Sequence, residues 1–113
     1  SESLIELWAG GMREIEGLPV ETLAVPGNGE ALQATRLSDH SPFWDAGFRA
    51  LMITDTSFMR NPHYHQPSDT PETLDPRFLA DVTRGCLAAV SRIVTGAKTG
   101  EESGNETGGV IGG

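Results

Sequence analysis

Residues 49–54 read RALMIT, and how these six residues are read decides the fold. Ala50, Leu51, Met52 and Ile53 are apolar in succession, without the alternation of a half-solvated strand. An unbroken apolar run this short is the pattern of a strand covered on both faces, as in a parallel sheet. Residues 50–53 are therefore expected to form an interior strand. Upstream, residues 18–25 (LPVETLAV) are rich in strand formers between Gly17 and Pro26, and they supply a second strand. Residues 26–36 contain Gly27, Asn28 and Gly29 and read as a loop.

Helices flank these strands. Ser3 and Glu6 have the spacing of a capping box, and Leu4, Ile5, Trp8, Met12 and Ile15 follow at helical intervals up to a stop at Gly17. Gly10 and Gly11 weaken that helix by roughly 1 kcal/mol each relative to alanine, so it needs tertiary packing. A short helix capped by Ser41, with Pro42 at its first position, is expected to carry Phe43 and Trp44 and to end near Gly47. Asp75 followed by Pro76 marks a strong helix start. Phe78, Leu79, Val82, Cys86, Leu87, Val90, Ile93 and Val94 then form one apolar stripe, predicting an amphipathic helix over 76–95 that packs on the sheet. From residue 96 to 113 the chain is glycine-rich, polar and aperiodic, and it reads as a flexible tail.

Helix, strand, short helix, strand, helix is the order of an α/β layered architecture. Two strands are too few for it. An interior strand asks for more neighbours than residues 18–25 provide, so residues 1–95 read as the closing segment of a larger α/β domain.

Composition narrows the function. Sixteen acids against eight bases give a formal charge of −8, and only one base, Lys98, is a lysine. With no basic cluster, phosphate repulsion argues against a nucleic-acid or anionic-membrane surface. The single cysteine, Cys86, permits no intrachain disulfide and no thiolate metal cluster. No apolar run approaches a membrane span and no signal-peptide pattern opens the sequence, so a soluble chain is expected.

Chemistry concentrates in the loop that follows the apolar run. Residues 55–74 form a loop of a length that in compact domains is usually functional or disordered. Within it, NPHYHQPSDT (61–70) carries two of the three histidines, His63 and His65, with Tyr64 between them and Asp69 four residues on. Ligands of open α/β sheets bind beyond the carboxyl ends of the strands, and this loop leaves that end of the apolar strand. A neutral imidazole there is a good zinc ligand, and a carboxylate on its other nitrogen would fix the tautomer. Asp69 and Asp39 are both candidates for that support. In an extended segment His63 and His65 point to one side, so joint chelation remains open, as does a plain solvated turn.

Three pieces taken in order carry a specific resemblance: SDHSPFWDAG (38–47), ALMITDT (50–56) and NPHYHQPSDTPETLD (61–75). Together they resemble the C-terminal third of zinc-dependent aminopeptidases, the co-catalytic two-zinc exopeptidase family that also includes glutaminyl cyclases. The resemblance implies the C-terminal portion of a three-layer α/β/α zinc-exopeptidase fold, too short to hold the whole sheet. It implies that His65 is a zinc ligand, and that Tyr64 hydrogen-bonds the tetrahedral intermediate. It also implies that the segment Ser38, Asp39 and His40 supports the site without binding metal. The family removes N-terminal residues from peptides; zinc polarises the scissile carbonyl and activates a bridging water while a glutamate moves the proton.

By the same resemblance an intact site holds two zinc ions on two histidines and three carboxylates, with a separate glutamate base. The other histidine, the carboxylates and the base belong upstream of the matched region. One ligand cannot hold a catalytic zinc, so this chain alone is expected to bind zinc weakly at most and to be inactive. Its implied partners are a peptide N-terminus and the remainder of the peptidase domain. Two alternatives stand beside this reading. A glutaminyl-cyclase-like acyl transferase would use the same scaffold, although those relatives carry tryptophan where this chain has Tyr64. A non-catalytic small binding domain would use His40, His63 and His65. Substrate preference and compartment are not legible in the sequence.

Overall fold

A computed structural model describes residues 2–96 and 108–112. Helix α1 (Glu2–Met12), strand β1 (Glu21–Val25), helix α2 (His40–Asp45), strand β2 (Leu51–Thr54), helix α3 (Pro76–Gly96) and strand β3 (Gly108–Gly112) follow in chain order. Single 3-10 turns at Pro26–Gly29, Gln33–Arg36, Ser57–Met59 and Pro71–Thr73 shape the connections. The class is α/β, as expected.

β1 and β2 share one sheet, but they are not neighbours, because the strand order is β1-β3-β2. β3 runs antiparallel to β1 and parallel to β2, with Val110 opposite Leu23 on one side and Met52 on the other. Two expectations are corrected here. Within the stretch 96–113, expected to be a flexible tail, Gly108–Gly112 is the middle strand of the described sheet, while residues 97–107 lie outside the described residues. The open edges of β1 and β2 satisfy their backbone donors and acceptors on it, whatever its side chains. β2 in turn is an edge strand of this sheet rather than an interior one, and all four of its residues are only half-buried. Leu51 and Ile53, two residues apart and so on one face, join the helical core; Met52 and Thr54 alternate to the other.

That core lies between α1 and α3. Ile5, Ala9, Met12, Leu18 and Ala89 are buried there, with Trp8, Ile15, Val20, Phe78, Val82 and Cys86 packed around them. The helices cross closely because both present glycine. A Cβ on Gly11 would lie 2.3 Å from the Ala89 Cα, and one on Gly85 would lie 3.3 Å from the Met12 Cα. What Gly10 and Gly11 cost in helix propensity is thus offset by the proximity that Gly11 allows.

α3 starts as expected. The Asp75 carboxylate accepts hydrogen bonds from the backbone N–H groups of Arg77 (3.0 Å) and Phe78 (3.1 Å). Its apolar stripe is wider than its contact, however. Gly85 and Ala89 are buried, whereas Leu79, Leu87, Val90 and Val94 are exposed. One neighbouring helix covers only a narrow arc of another.

The other two helix starts depart from expectation. α1 already includes Glu2, so Ser3 sits inside the helix rather than capping it. α1 also ends at Met12, and turns closed by Glu14 N–H to Gly11 O and Ile15 N–H to Met12 O carry the chain to Gly17, whose φ of 78° no L-residue adopts easily. α2 begins at His40, with Asp39 at its N-cap position making no side-chain cap. Pro42 remains within the first turn, where its missing N–H costs nothing.

Candidate active site

Two pieces of chain carry the candidate residues: the turn into α2, and the loop leaving β2. In the first, His40 is buried and its Nε2 lies 2.5 Å from the Thr35 carbonyl oxygen. Only an N–H can donate to a carbonyl, so this contact selects the Nε2–H tautomer. The Nδ1 atom is then an acceptor; it is buried and has no hydrogen-bond partner among the described residues. The ring meets Trp44 edge-on at 4.4 Å, and the Trp44 indole donates to the Ala50 carbonyl at 2.8 Å, one residue before β2. His40 and Trp44 thereby tie the segment before α2 to the start of the apolar strand. Arg36 braces the same corner: its guanidinium donates to Asp45 at 2.6 Å and to the Asn28 carbonyl at 2.7 Å. Asp39, by contrast, is exposed.

The second piece turns sharply as β2 ends. Thr56 (φ 74°) and Ser57 (φ 44°) are both left-handed, a costly conformation for a β-branched residue. Local hydrogen bonds hold it. The Asp55 carboxylate accepts from Ser57 N–H at 3.0 Å, Thr54 Oγ1 accepts from Thr56 N–H at 3.1 Å, and Arg60 donates to the Asp55 carbonyl at 2.9 Å. The Asn61 side chain then accepts from His63 N–H at 2.9 Å, the Asx turn that an asparagine before proline favours.

On this frame Tyr64 and His65 stack, with ring centroids 3.9 Å apart and planes inclined by 16°. Phe58 also meets the Tyr64 ring, tilted by 54° with centroids 5.8 Å apart. Tyr64 is half-buried between these rings, while His65 is exposed, at a φ of 52°. His63 is otherwise engaged, its Nδ1 lying 3.0 Å from Ser68 Oγ. Asp69 is exposed and donates its backbone N–H to the Gln66 carbonyl at 3.0 Å.

Of the bracing residues, Phe58 reads from the sequence as a loop anchor, whereas the bracing roles of Arg36, Arg60 and Asn61 were not singled out. Of these three, only Asn61, standing before Pro62, carried a local signal for its role.

These residues do not amount to a metal centre by themselves. Among the described residues no three His, Cys, Asp or Glu side chains gather into a group able to hold an ion. His65 is a free, exposed donor, and nothing in the described chain completes a coordination shell around it. The described residues alone therefore do not fit a zinc site.

The aromatic–histidine pair lies on the loop beyond the carboxyl end of β2, the edge at which open α/β sheets bind their ligands. Comparison with known proteins makes this specific: residues 17–90 match the model of peptidase family M28, and the chain belongs to that family. It is a zinc-dependent family of aminopeptidase- and glutaminyl-cyclase-like proteins. Among curated proteins, the chain is similar to an uncharacterized protein, YfbL, of Escherichia coli (strain K12). The two are 36% identical over 72 residues, which cover 64% of this chain and 21% of that protein. The chain thus spans about a fifth of the length of the curated relative it matches. No solved structure matches it.

Proposed function

We propose that this chain is the closing segment of a zinc aminopeptidase domain, to which it contributes one metal ligand, His65, and one catalytic side chain, Tyr64. The observation that carries the reading is the Tyr64–His65 stack, at 3.9 Å, on a loop that leaves the carboxyl end of β2 inside the family-matched stretch. Among the described residues His65 is exposed and makes no side-chain hydrogen bond, which leaves its ring open to a metal completed from elsewhere in a domain. The remaining ligands and the general base come from the part of the domain outside the matched residues, within the three-layer fold that the family resemblance implies.

In that setting the reaction is hydrolysis of the first peptide bond of a peptide. Water adds to the scissile carbonyl carbon as the general base takes its proton, the carbonyl oxygen takes up negative charge, and the carbon–nitrogen bond breaks as that proton passes to the leaving amine. Tyr64 donates its phenolic hydrogen to that oxygen as the charge builds; the stack on His65 and the contact with Phe58 hold the ring in one orientation. A donor fixed in place before the reaction stabilises the transition state more than the ground state. His40 and Trp44 support the site by fixing the backbone on either side of α2. Asp39 and Asp69, both exposed, are the carboxylates available to steady the far nitrogen of His65.

The test is metal content in a full-length peptidase carrying this segment. His65→Ala is expected to lose or weaken one zinc and to abolish aminopeptidase activity, while His63→Ala retains both. Calorimetry of zinc against the present chain is expected to show weak binding only. Tight one-to-one binding, lost in either His63→Ala or His65→Ala, would replace this reading with that of a small self-contained metal site.

A further inference from the structure

The loop that bears Tyr64 and His65 leaves β2 through a turn that its residue types do not favour. Thr56 (φ 74°, ψ 1°) and Ser57 (φ 44°) are both left-handed. Glycine enters that region freely, whereas a β-branched residue is strained there. What threonine has and glycine lacks is a hydroxyl, and this hydroxyl is engaged. Thr56 Oγ1 donates to the Asp55 carbonyl and accepts a hydrogen bond from Arg60 Nε at 2.5 Å. Arg60 Nη2 donates to the same Asp55 carbonyl at 2.9 Å. One planar guanidinium thus closes over the peptide that joins Asp55 to Thr56. The fixed fork of an arginine suits two neighbouring acceptors in a way that the single ammonium of a lysine does not.

Arg60 can reach Thr56 because the 3-10 turn Ser57–Met59 brings the chain back on itself. Met59 N–H donates to the Thr56 carbonyl at 3.0 Å, and the N–H groups of Arg60 and Asn61 donate to the Ser57 carbonyl at 3.1 and 2.8 Å. Asn61, the next residue, works forward along the chain. Its side chain accepts from His63 N–H at 2.9 Å, and its carbonyl accepts from Tyr64 N–H at 3.3 Å. Residues 60 and 61 therefore join the end of β2 to the turn beneath the stacked rings. Phe58, inside the 3-10 turn, couples the same frame to Tyr64 through their ring contact at 5.8 Å. The direction taken at Thr56 is passed on to Tyr64 by both routes.

We infer that Arg60 is a positioning residue for the Tyr64–His65 pair, which it sets through Thr56 by fixing the direction in which the loop leaves β2. The positioning stands on these hydrogen bonds. Only its catalytic consequence rests on the reading of Tyr64 and His65 given above.

The experiment reads the stack itself, in the full 113-residue chain without metal. With centroids 3.9 Å apart, the Tyr64 ring current moves the His65 ring protons upfield in a proton NMR spectrum. At one fixed alkaline pH, Arg60→Met, which removes the donors, should lose most of that upfield shift. Arg60→Lys should lose most of it too, although the charge is kept, and it keeps the test decisive if Arg60→Met does not fold. Thr56→Val, which removes the hydroxyl and keeps the branched shape, should behave likewise, whereas Thr56→Ser should retain the shift. Combining Arg60→Met with Thr56→Val should do no more than Arg60→Met alone, because both remove one link. The methyl signal of Ala89, buried between α1 and α3, should stay in place throughout. A shift retained in both Arg60 variants, or lost in Thr56→Ser as fully as in Thr56→Val, would overturn the inference. An Ala89 methyl that moves together with the His65 ring in Arg60→Lys would also overturn it, by making the effect a general loss of fold. In a full-length peptidase carrying this segment, Arg60→Met should lower kcat by about 100-fold with KM little changed, the loss that follows when a reacting group is misplaced by about an ångström. A lost ring shift beside an unchanged kcat would support the positioning and count against the catalytic role of Tyr64, so the two readings fail separately.

Discussion

Gly11 on α1 faces Ala89 on α3 so closely that a methyl group on Gly11 would lie 2.3 Å from the Ala89 Cα and 2.5 Å from its backbone nitrogen. No side-chain rotation relieves a clash with backbone, so the helices must separate to admit it. In isolation Gly11→Ala would favour α1 by about 1 kcal/mol. Here the loss of packing wins, since overpacking a tight contact costs typically 1–3 kcal/mol. Urea denaturation should show Gly11→Ala less stable by about 1–2 kcal/mol. Gly10→Ala, whose Cβ would meet only the movable Arg92 side chain at 3.4 Å, should be neutral or stabilising.

At the start of α3, the Asp75 carboxylate accepts two backbone hydrogen bonds, from Arg77 and Phe78. Asp75→Ala leaves both donors to water and is expected to destabilise by about 1 kcal/mol. Asp75→Asn keeps an acceptor at the same place and should recover most of that loss. Thermal unfolding of the two variants side by side checks the difference.

Which features were legible follows from how local their causes are. The Asp75–Pro76 start needs only neighbouring atoms, and α3 begins where the sequence puts it. The strand at residues 51–54 is equally local in its apolar run, but its place in the sheet is not. β3 could not be read from Gly108, Gly109, Val110, Ile111 and Gly112, because the need for a strand lies in the unpaired edges of β1 and β2. Likewise, the periodicity of α3 shows which residues share a face but not how many neighbours will cover it, so Leu87 and Val94 remain exposed. In the loop, the family resemblance singled out Tyr64 and His65, and the structure stacks their rings. His40 was readable as a hydrogen-bonded structural histidine, but its partner was not, since nothing in Ser38, Asp39 and His40 points to the Thr35 carbonyl.

Cys86 gives a pH dependence with a definite sign. Desolvation against the helical core raises its thiol above the ordinary value of 9.0. A folded-state value above the unfolded one means that the folded chain holds the proton longer. The corresponding stability is complete below the unfolded pKa and is lost as pH rises through it toward the folded value. Stability should therefore fall in the alkaline range above about pH 9, and Cys86→Ala should remove that part of the fall. Alkylation with iodoacetamide at pH 8.5 should be slower on the folded chain than in urea.

The Tyr64 ring has two separable roles, and substitutions distinguish them. Its face stacks on His65 at 3.9 Å, and its hydroxyl is the group that meets the reacting carbonyl in the proposed mechanism. Tyr64→Phe keeps the stack and the contact with Phe58 but removes the donor. In a full-length peptidase carrying this segment it should lower kcat by about 100- to 1000-fold, the usual loss for one oxyanion donor, with KM and zinc content little changed. Tyr64→Ala also removes the ring that holds His65 in place, so it should weaken one zinc as well as lowering kcat. Steady-state kinetics together with metal analysis of both variants separates the roles. Equal kcat for Tyr64→Phe and the parent enzyme would confine Tyr64 to packing the loop. Equal zinc loss in both variants would mean that the hydroxyl, rather than the stacked ring, is what orients His65.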